Sequence, residues 1–287
     1  MRPSIIILTF NSEATIGATL QSVEAISDDI HIVDSFSSDM TLEIVRRFGA
    51  RLIQRPFTTY AEQRNWAIEN LPIQYSWQLH LDADERLSKG LIEEIRKLPD
   101  SPEIDGFLIP RLTYFLGHAI RHGGHYPVFH MRLFRNGAAI VENKLYDQHF
   151  ILHGVSQRLR NPMIDDIRLT LREWTERHNR WADLEAENVT AGSPAGQTVA
   201  ATIRDPIGRR RAFRDLYYRL PLGLRPFLLF IYRYIFRFGF LDGRPGLIFF
   251  GLQTLWFRLL VDAKIYERRM QTSFKRSSEK GDKAANE

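Results

Sequence analysis

Trp77-Gln78-Leu79-His80-Leu81-Asp82-Ala83-Asp84-Glu85 alternates apolar with polar side chains and then places three carboxylates within four residues. The alternation is that of a strand with one buried face, and the acidic cluster falls at its carboxyl end. In extended backbone Asp82 and Asp84, two residues apart, point to the same side, where like charges repel unless a cation lies between them. The chain contains no cysteine, so a hard, oxygen-bound Mg²⁺ or Mn²⁺ is expected in preference to a thiolate-bound zinc. The plainer reading of the same residues is a polar turn leading into a helix that starts near Ser88.

Upstream, Ser4 to Thr9 is a nearly unbroken apolar run, as in a strand buried on both faces. Phe10-Asn11-Ser12 turns the chain, and Ile16, Leu20 and Val23 recur at helical spacing. Ile30 to Val33 forms a second strand ending in Asp34, a helix starts at Thr41 and stops at Gly49, and a short strand covers Arg51 to Ile53. A helix over Tyr60 to Asn70 then leads into the acidic strand. This β-α-β-α-β-α-β order predicts an α/β fold with an open, mainly parallel sheet and helices on both faces. Ligands of such sheets bind beyond the carboxyl ends of strands, where Asn11, Asp34 and Asp82 all fall. No G-x-G-x-x-G follows the first strand and no Walker sequence occurs, so a dinucleotide or P-loop site lacks its phosphate cradle.

Four segments together resemble the nucleotide-sugar motifs of family 2 glycosyltransferases with the GT-A fold: Ile5 to Glu13, Val33 to Thr41, Gln63-Arg64-Asn65-Trp66-Ala67, and Leu81 to Glu85. The resemblance covers roughly residues 4 to 160 and is strongest to bacterial enzymes that extend lipopolysaccharide core or other surface glycans. It implies that Thr9, Asn11, Glu13 and Asp34 line the base and ribose pocket. Chemistry agrees, since a carboxylate accepts a bond from a pyrimidine imide N–H. It further implies Arg64 near the diphosphate, Asp84 as direct metal ligand, and Asp82 facing the ribose or a metal-bound water.

Downstream, Ser88 can cap a helix carrying Leu91, Ile92, Ile95 and Leu98, and Gly106 to Phe115 reads as a strand. The glycine-, histidine- and aromatic-rich segment Ile120 to Pro127 resembles a stretch of the related enzymes that precedes an Arg-Leu-Phe-Arg strand, here Arg132 to Arg135. His122, His125, Tyr126 and Arg132 are therefore expected on the acceptor side, while a zinc site from the local histidines lacks a completing carboxylate or cysteine. An inverting transfer needs a carboxylate to take the acceptor's hydroxyl proton. Asp147 and Glu142 are the candidates. Related enzymes often carry His-Glu where this chain aligns Asp147-Gln148, which leaves the choice between the two open.

The net charge of +5 is unevenly distributed. Nine arginines between residues 204 and 237 face only Asp205 and Asp215, a local +7 that leaves the rest near −2. Two apolar segments follow, Pro226 to Phe240 and Pro245 to Val261. In the first, nine Leu, Ile and Phe residues favour membrane insertion by roughly 3–5 kcal/mol, but Arg233 and Arg237 cost about 5–7. Spanning is therefore unfavourable, and an interfacial helix with arginines on anionic headgroups is expected; the second segment suits an interfacial or re-entrant position. A buried homo-oligomer interface is the rival reading. Nucleic acid is not expected, because the aliphatic and Phe bulk exceeds what a phosphate-tracking surface needs.

The resulting division is a nucleotide-sugar and catalytic domain at 1–160, a helix and linker at 161–203, a basic membrane-associating region at 204–270 and a disordered tail at 271–287. The helix is expected over Asp165 to Asn188, with Leu171, Trp174, His178, Trp181 and Leu184 as its apolar stripe on the catalytic domain. The N-terminus has no long apolar leader, so a protein peripheral to the cytoplasmic face of a membrane is expected. The predicted partners are a nucleoside-diphosphate sugar and a lipid-linked or lipopolysaccharide acceptor. A nucleotidyltransferase and a non-catalytic scaffold retaining the fold are the alternatives.

Overall fold

The computed structural model describes residues 1–142, 148–191 and 216–284, with side chains to residue 272. The chain divides into two compact units, Met1–Arg168 and Leu169–Glu287.

In the first unit β1 (Ser4–Thr9), α1 (Ile16–Val23), β2 (Ile30–Asp34), α2 (Thr41–Arg47), β3 (Arg51–Gln54), α3 (Tyr60–Asn70) and β4 (Trp77–Asp82) follow one another as the periodicity predicts. After them come β5 (Glu85–Leu87), α4 (Lys89–Lys97), β6 (Gly106–Phe115), β7 (His118–Ala119), β8 (Val128–Arg135), β9 (Ala139–Val141), β10 (Phe150–Leu152), β11 (Ser156–Arg158) and β12 (Met163–Ile167). The main sheet runs β3-β2-β1-β4-β8-β6-β12-β5, with β7 and β11 also on β6. Its first four strands are parallel, and β8 joins antiparallel to both β4 and β6.

The unbroken apolar run of β1 reflects its central position. Ile5 and Ile7 pack in the core under α1 with Leu20, Leu79 and Leu81, while Ile6 faces the opposite layer with Val33, Ala67 and Leu71. Burial on both faces favours such a run. The expectation that β4 buries one face only is corrected: Gln78 and His80 on its other face are buried too, and tolerated there because His80 Nε2 lies 2.9 Å from Gln78 Oε1. Ser88 caps α4 as expected, accepting the N–H of Leu91 at 3.2 Å, and Thr59 caps α3 in the same way, accepting that of Glu62 at 3.1 Å. Each such cap satisfies an otherwise orphaned helix donor.

The second unit contains α5 (Leu171–Thr190), α6 (Leu224–Ile231), α7 (Gly243–Phe250) and α8 (Phe257–Ala284). Wider π-type turns at Tyr232–Phe236 and Gly251–Trp256 and a 3-10 turn at Gly239–Asp242 join them. Three expectations change here. Residues 165–167 belong to β12, and α5 starts only at Leu171, because Thr170 and Glu173 form a reciprocal capping box there. The partner of α5 is α8, with Ala182 and Ala186 packed on Phe257, Val261 and Ile265. Its buried stripe is consequently Trp174, His178, Ala182, Glu185 and Ala186. The last helix continues to Ala284, past the expected start of the tail at 271. Most of the expected linker, with Arg204 to Arg214, lies outside the described residues.

Candidate active site

The register sets the rim of the parallel half. Thr9 pairs with Asp34 and Leu8 with Asp82, so the ends of β2, β1 and β4 stand level. Just beyond, Asn11 adopts φ 46°, a left-handed conformation that Asn tolerates better than most residues. Its N–H donates to Ser37 Oγ and its Oδ1 accepts the Ser38 N–H, both at 2.8 Å. Glu13 accepts the Met40 N–H at 2.9 Å, and Asp39 accepts the Glu13 N–H at 3.1 Å. Asn11 and Glu13 thereby tie the loop after β1 to the loop after β2. Asp34 is fully buried; its Oδ2 accepts the Ser37 N–H at 2.9 Å and the Gln54 amide at 3.1 Å, and its Oδ1 accepts the Ser37 hydroxyl. Thr9 is buried beside it, its hydroxyl without a hydrogen-bond partner.

At the end of β4, Asp82 is held by three donors. Tyr60 gives its hydroxyl proton to Oδ1 at 3.1 Å, Arg64 donates to the same oxygen, and Arg132 Nη2 donates to Oδ2 at 2.9 Å. The same Arg132 nitrogen lies 2.7 Å from Glu85 Oε1, and Glu85 Oε2 accepts the Asp82 N–H at 3.0 Å. Arg64 is fully buried and also donates to the Leu81 carbonyl at 2.7 Å. Its Nη1 faces the Ile6 carbonyl and His80 Nδ1, both at 3.4 Å. Two guanidiniums and two carboxylates thus neutralise one another, with Arg64, Arg132 and Glu85 buried and the Asp82 side chain 32% exposed at the rim.

Their proton affinities follow. Burial opposes ionisation of Asp82, but the Arg132 and Arg64 guanidiniums outweigh it and hold its carboxyl well below the usual range. Glu85 moves the other way: burial raises it against the pull of Arg132, and the Asp82 charge adds to the rise. Burial works against the charge of Arg132, yet Glu85 and Asp82 hold its proton more tightly than usual. His80 is pushed well down by burial and then by Arg64 and Arg132, so the imidazole is neutral.

Asp84 has different neighbours. It lines a small recess with Thr15, Thr19, Arg86, Asp166 and Arg168, next to the start of α1. The expectation that Asp82 and Asp84 share a side fails because Ala83 and Asp84 form a turn, which ends the extended alternation at Asp82. Among the described residues no group of three His, Asp or Glu side chains could enclose a cation. Carboxylate oxygen is the ligand type a hard divalent ion prefers, and both oxygens of Asp82 already accept from guanidiniums.

The remaining candidates are spread out. His125 Nε2 lies 3.0 Å from Thr113 Oγ1 and its N–H donates to the His122 carbonyl at 3.1 Å, so these two close their own loop, with Tyr126 half-buried beside them. Arg132 points instead at Asp82 and Glu85. Glu142 is buried and accepts the His149 N–H at 3.1 Å. Asp147 lies outside the described residues. The sequence alone assigns no role to Tyr60, His80, Glu85 or Asn65. For Tyr60 a signal existed, since it precedes Arg64 by one helical turn and must share its face.

A parallel β3-β2-β1-β4 half continued by antiparallel β8 and β6, with carboxylates at the strand ends and no glycine-rich phosphate loop, defines a GT-A type α/β fold. The chain belongs to glycosyl transferase family 2, whose family model matches residues 4–160. It is similar to the lipopolysaccharide core biosynthesis glycosyltransferase LpsC of Rhizobium meliloti, at 27% identity over 276 residues and 92% of each chain. An uncharacterized glycosyltransferase of Rickettsia felis is 36% identical over 115 residues, 40% of this chain and 40% of that relative's length. Among solved structures, a mannosyltransferase from Pyrobaculum calidifontis in complex with GDP-Man and Mn²⁺ shares the fold, with a TM-score of 0.52 at 13% identity over 93% of this chain and 88% of the other.

Proposed function

We propose that this protein is an inverting glycosyltransferase that moves a sugar from a nucleoside-diphosphate sugar to a membrane-linked glycan or lipid acceptor in surface polysaccharide biosynthesis, working on the cytoplasmic face of a membrane. The observation that carries the reading is the convergence of Thr9, Asn11, Asp34 and Asp82 at level ends of adjacent parallel strands, in a chain similar to LpsC along nearly its whole length.

In this reading the loops tied by Asn11 and Glu13 bind the base and ribose, with Asp34 shaping that pocket. Arg64 and Arg132 fix Asp82, so that it meets the donor in one orientation and one charge state. A divalent ion, Mg²⁺ or Mn²⁺, held by Asp84 would offset charge on the departing diphosphate. His122, His125 and Tyr126 border the acceptor. Glu142 or Asp147 takes the acceptor's hydroxyl proton as that oxygen bonds to the anomeric carbon, and the bond to the phosphate oxygen breaks with its electron pair leaving on the nucleoside diphosphate.

Asp84→Asn should reduce metal-dependent donor turnover by a factor of about 10²–10³ while leaving the melting temperature near that of the wild type. Turnover within a few-fold of wild type would overturn the assignment. Formation of a sugar nucleotide from nucleoside triphosphate and sugar phosphate would instead identify a nucleotidyltransferase.

A further inference from the structure

Large apolar side chains are exposed in an uninterrupted stripe of the second unit. Leu224, Leu228, Ile231 and Ile235 recur at helical spacing, between 43% and 51% exposed, with Phe227 beside them at 49%. They lie on the first leg of a helical hairpin. That leg comprises α6 and Tyr232–Phe236, the chain reverses at Phe238 with φ 60°, and α7 with Gly251–Trp256 forms the second leg. The legs form one body. Phe230 stacks on Tyr234 at 5.2 Å between ring centroids, and Tyr234 meets Phe250 of the second leg at 6.4 Å. Gly239 makes this closeness available, because a Cβ there would stand 2.8 Å from the Phe250 ring.

The base of the hairpin fixes how it can meet a bilayer. Arg225, on the first turn of the first leg, places Nε 2.7 Å from Asp262 Oδ1, and the Gly223 N–H donates to Asp262 Oδ2 at 2.7 Å; both ionic partners are buried. The start of one leg is therefore tied to the chain just after the other, so both legs begin and end on the same side. By length and composition the helical stretch Gly239–Thr272 could cross a membrane. Its second half is already occupied, since Phe257, Val261 and Ile265 pack on α5, and Arg258 and Lys264 pair with Glu185 and Asp183. The second leg, Gly243–Trp256, extends roughly 21 Å at 1.5 Å per residue, short of the roughly 30 Å of a hydrocarbon core. Inserting the hairpin tip first would also carry Arg237, Asp242 and Arg244 into hydrocarbon.

We propose that this hairpin is a monotopic membrane anchor that lies in the interface of one leaflet of an anionic bilayer, the stripe from Leu224 to Ile235 in the acyl chains, and does not cross. Charge complementarity selects this occupant. Between residues 226 and 257 three arginines face Asp242 as the sole acid, and Arg237 and Arg244 are exposed at the reversal, where they reach headgroup phosphates. This deepens the membrane-linked acceptor in the proposed function, but its test needs neither donor nor acceptor, so the two readings fail separately.

Flotation of the full-length protein with phosphatidylglycerol-containing vesicles, compared with phosphatidylcholine alone, should give binding that is anion-dependent and weakened by salt. The variant Leu228→Ser/Ile231→Ser/Ile235→Ser removes only exposed side chains. It should keep its circular dichroism and melting temperature and partition at least tenfold more weakly. Because the chain has no cysteine, Ile231→Cys can carry a single environment-sensitive fluorophore. Its emission should shift to the blue on vesicles and be quenched more by lipids brominated near the carbonyl than near the chain end. Wild-type partitioning of the triple variant would overturn the anchor. Quenching strongest from the chain ends would replace it with a deeper insertion. Unchanged vesicle binding with loss of a dimer in sedimentation would assign the stripe to a second copy of the chain.

Discussion

Arg132 touches Asp82, Glu85 and Tyr60 from a strand fifty residues away in sequence. A guanidinium suits this position, because its rigid fork reaches several acceptors while its charge offsets two carboxylates at once. Arg132→Met should lower unfolding stability by about 3–5 kcal/mol, since it leaves buried carboxylate charge uncompensated. Burial already raises Glu85, and an acid whose folded value is raised destabilises the fold only while it is ionised. The loss should therefore be full at neutral pH and shrink as pH falls through that raised value, which urea titrations at several pH values would detect. Adding Glu85→Gln should restore much of the stability.

His178 gives a second residue-scale expectation. It is buried against Trp174, with Nδ1 2.8 Å from the Trp174 carbonyl oxygen, and burial lowers it from the ordinary 6.5 to about 4. The folded state then binds fewer protons than the unfolded chain. Stability should be complete above pH 6.5 and fall by roughly 2–3 kcal/mol as pH drops towards 4, after allowance for solvent screening. His178→Gln should flatten that slope in the unfolding of the second unit.

Among the elements, β9 is the one whose placement matters most to the mechanism, because it leads directly into Glu142 and the segment bearing Asp147. Asn65 holds it on α3: Nδ2 donates to the Val141 carbonyl at 2.9 Å, and Oδ1 accepts the Val141 N–H at 2.7 Å. The side chain thus behaves as one rung of a ladder, satisfying backbone groups that no neighbouring strand reaches. Asn65→Ala should cost about 1–3 kcal/mol of stability and lower kcat more than it raises KM, since it loosens the segment that carries the proposed proton acceptors without touching the proposed donor pocket. An unchanged kcat would detach Asn65 from catalysis. The boundaries of α5 carry a related lesson. The helix-like spacing begins near Asp165, but the reciprocal bonds of Thr170 and Glu173 and the pairing of β12 with β6 decide where the helix starts.

For the whole molecule the central expectation is linkage between donor, cation and fold. Ligand that binds only the folded state at 100 times its Kd adds about 2.7 kcal/mol, which for a domain of this size raises the melting temperature by roughly 5–10 °C. A nucleoside-diphosphate sugar should produce that shift with Mn²⁺ and lose most of it in EDTA. A shift indifferent to the chelator would separate donor binding from the metal.

The order and type of β1 to β4 with α1 to α3, and then of α4 and β6, were readable in the chain, because apolar spacing differs between strand and helix; the short strands β5 and β7 and the burial of Gln78 and His80 on the second face of β4 were not. The ends of those strands, and hence Thr9, Asp34 and Asp82 as rim residues, were readable for the same reason. Tertiary structure alone decided the partners. Asp82 meets Arg64 from 18 residues earlier and Arg132 from 50 later, and a local turn at Ala83–Asp84 sends Asp84 to other neighbours. Periodicity records which face of an element is buried. It carries no information on which distant side chain arrives there, because that depends on how the whole sheet closes.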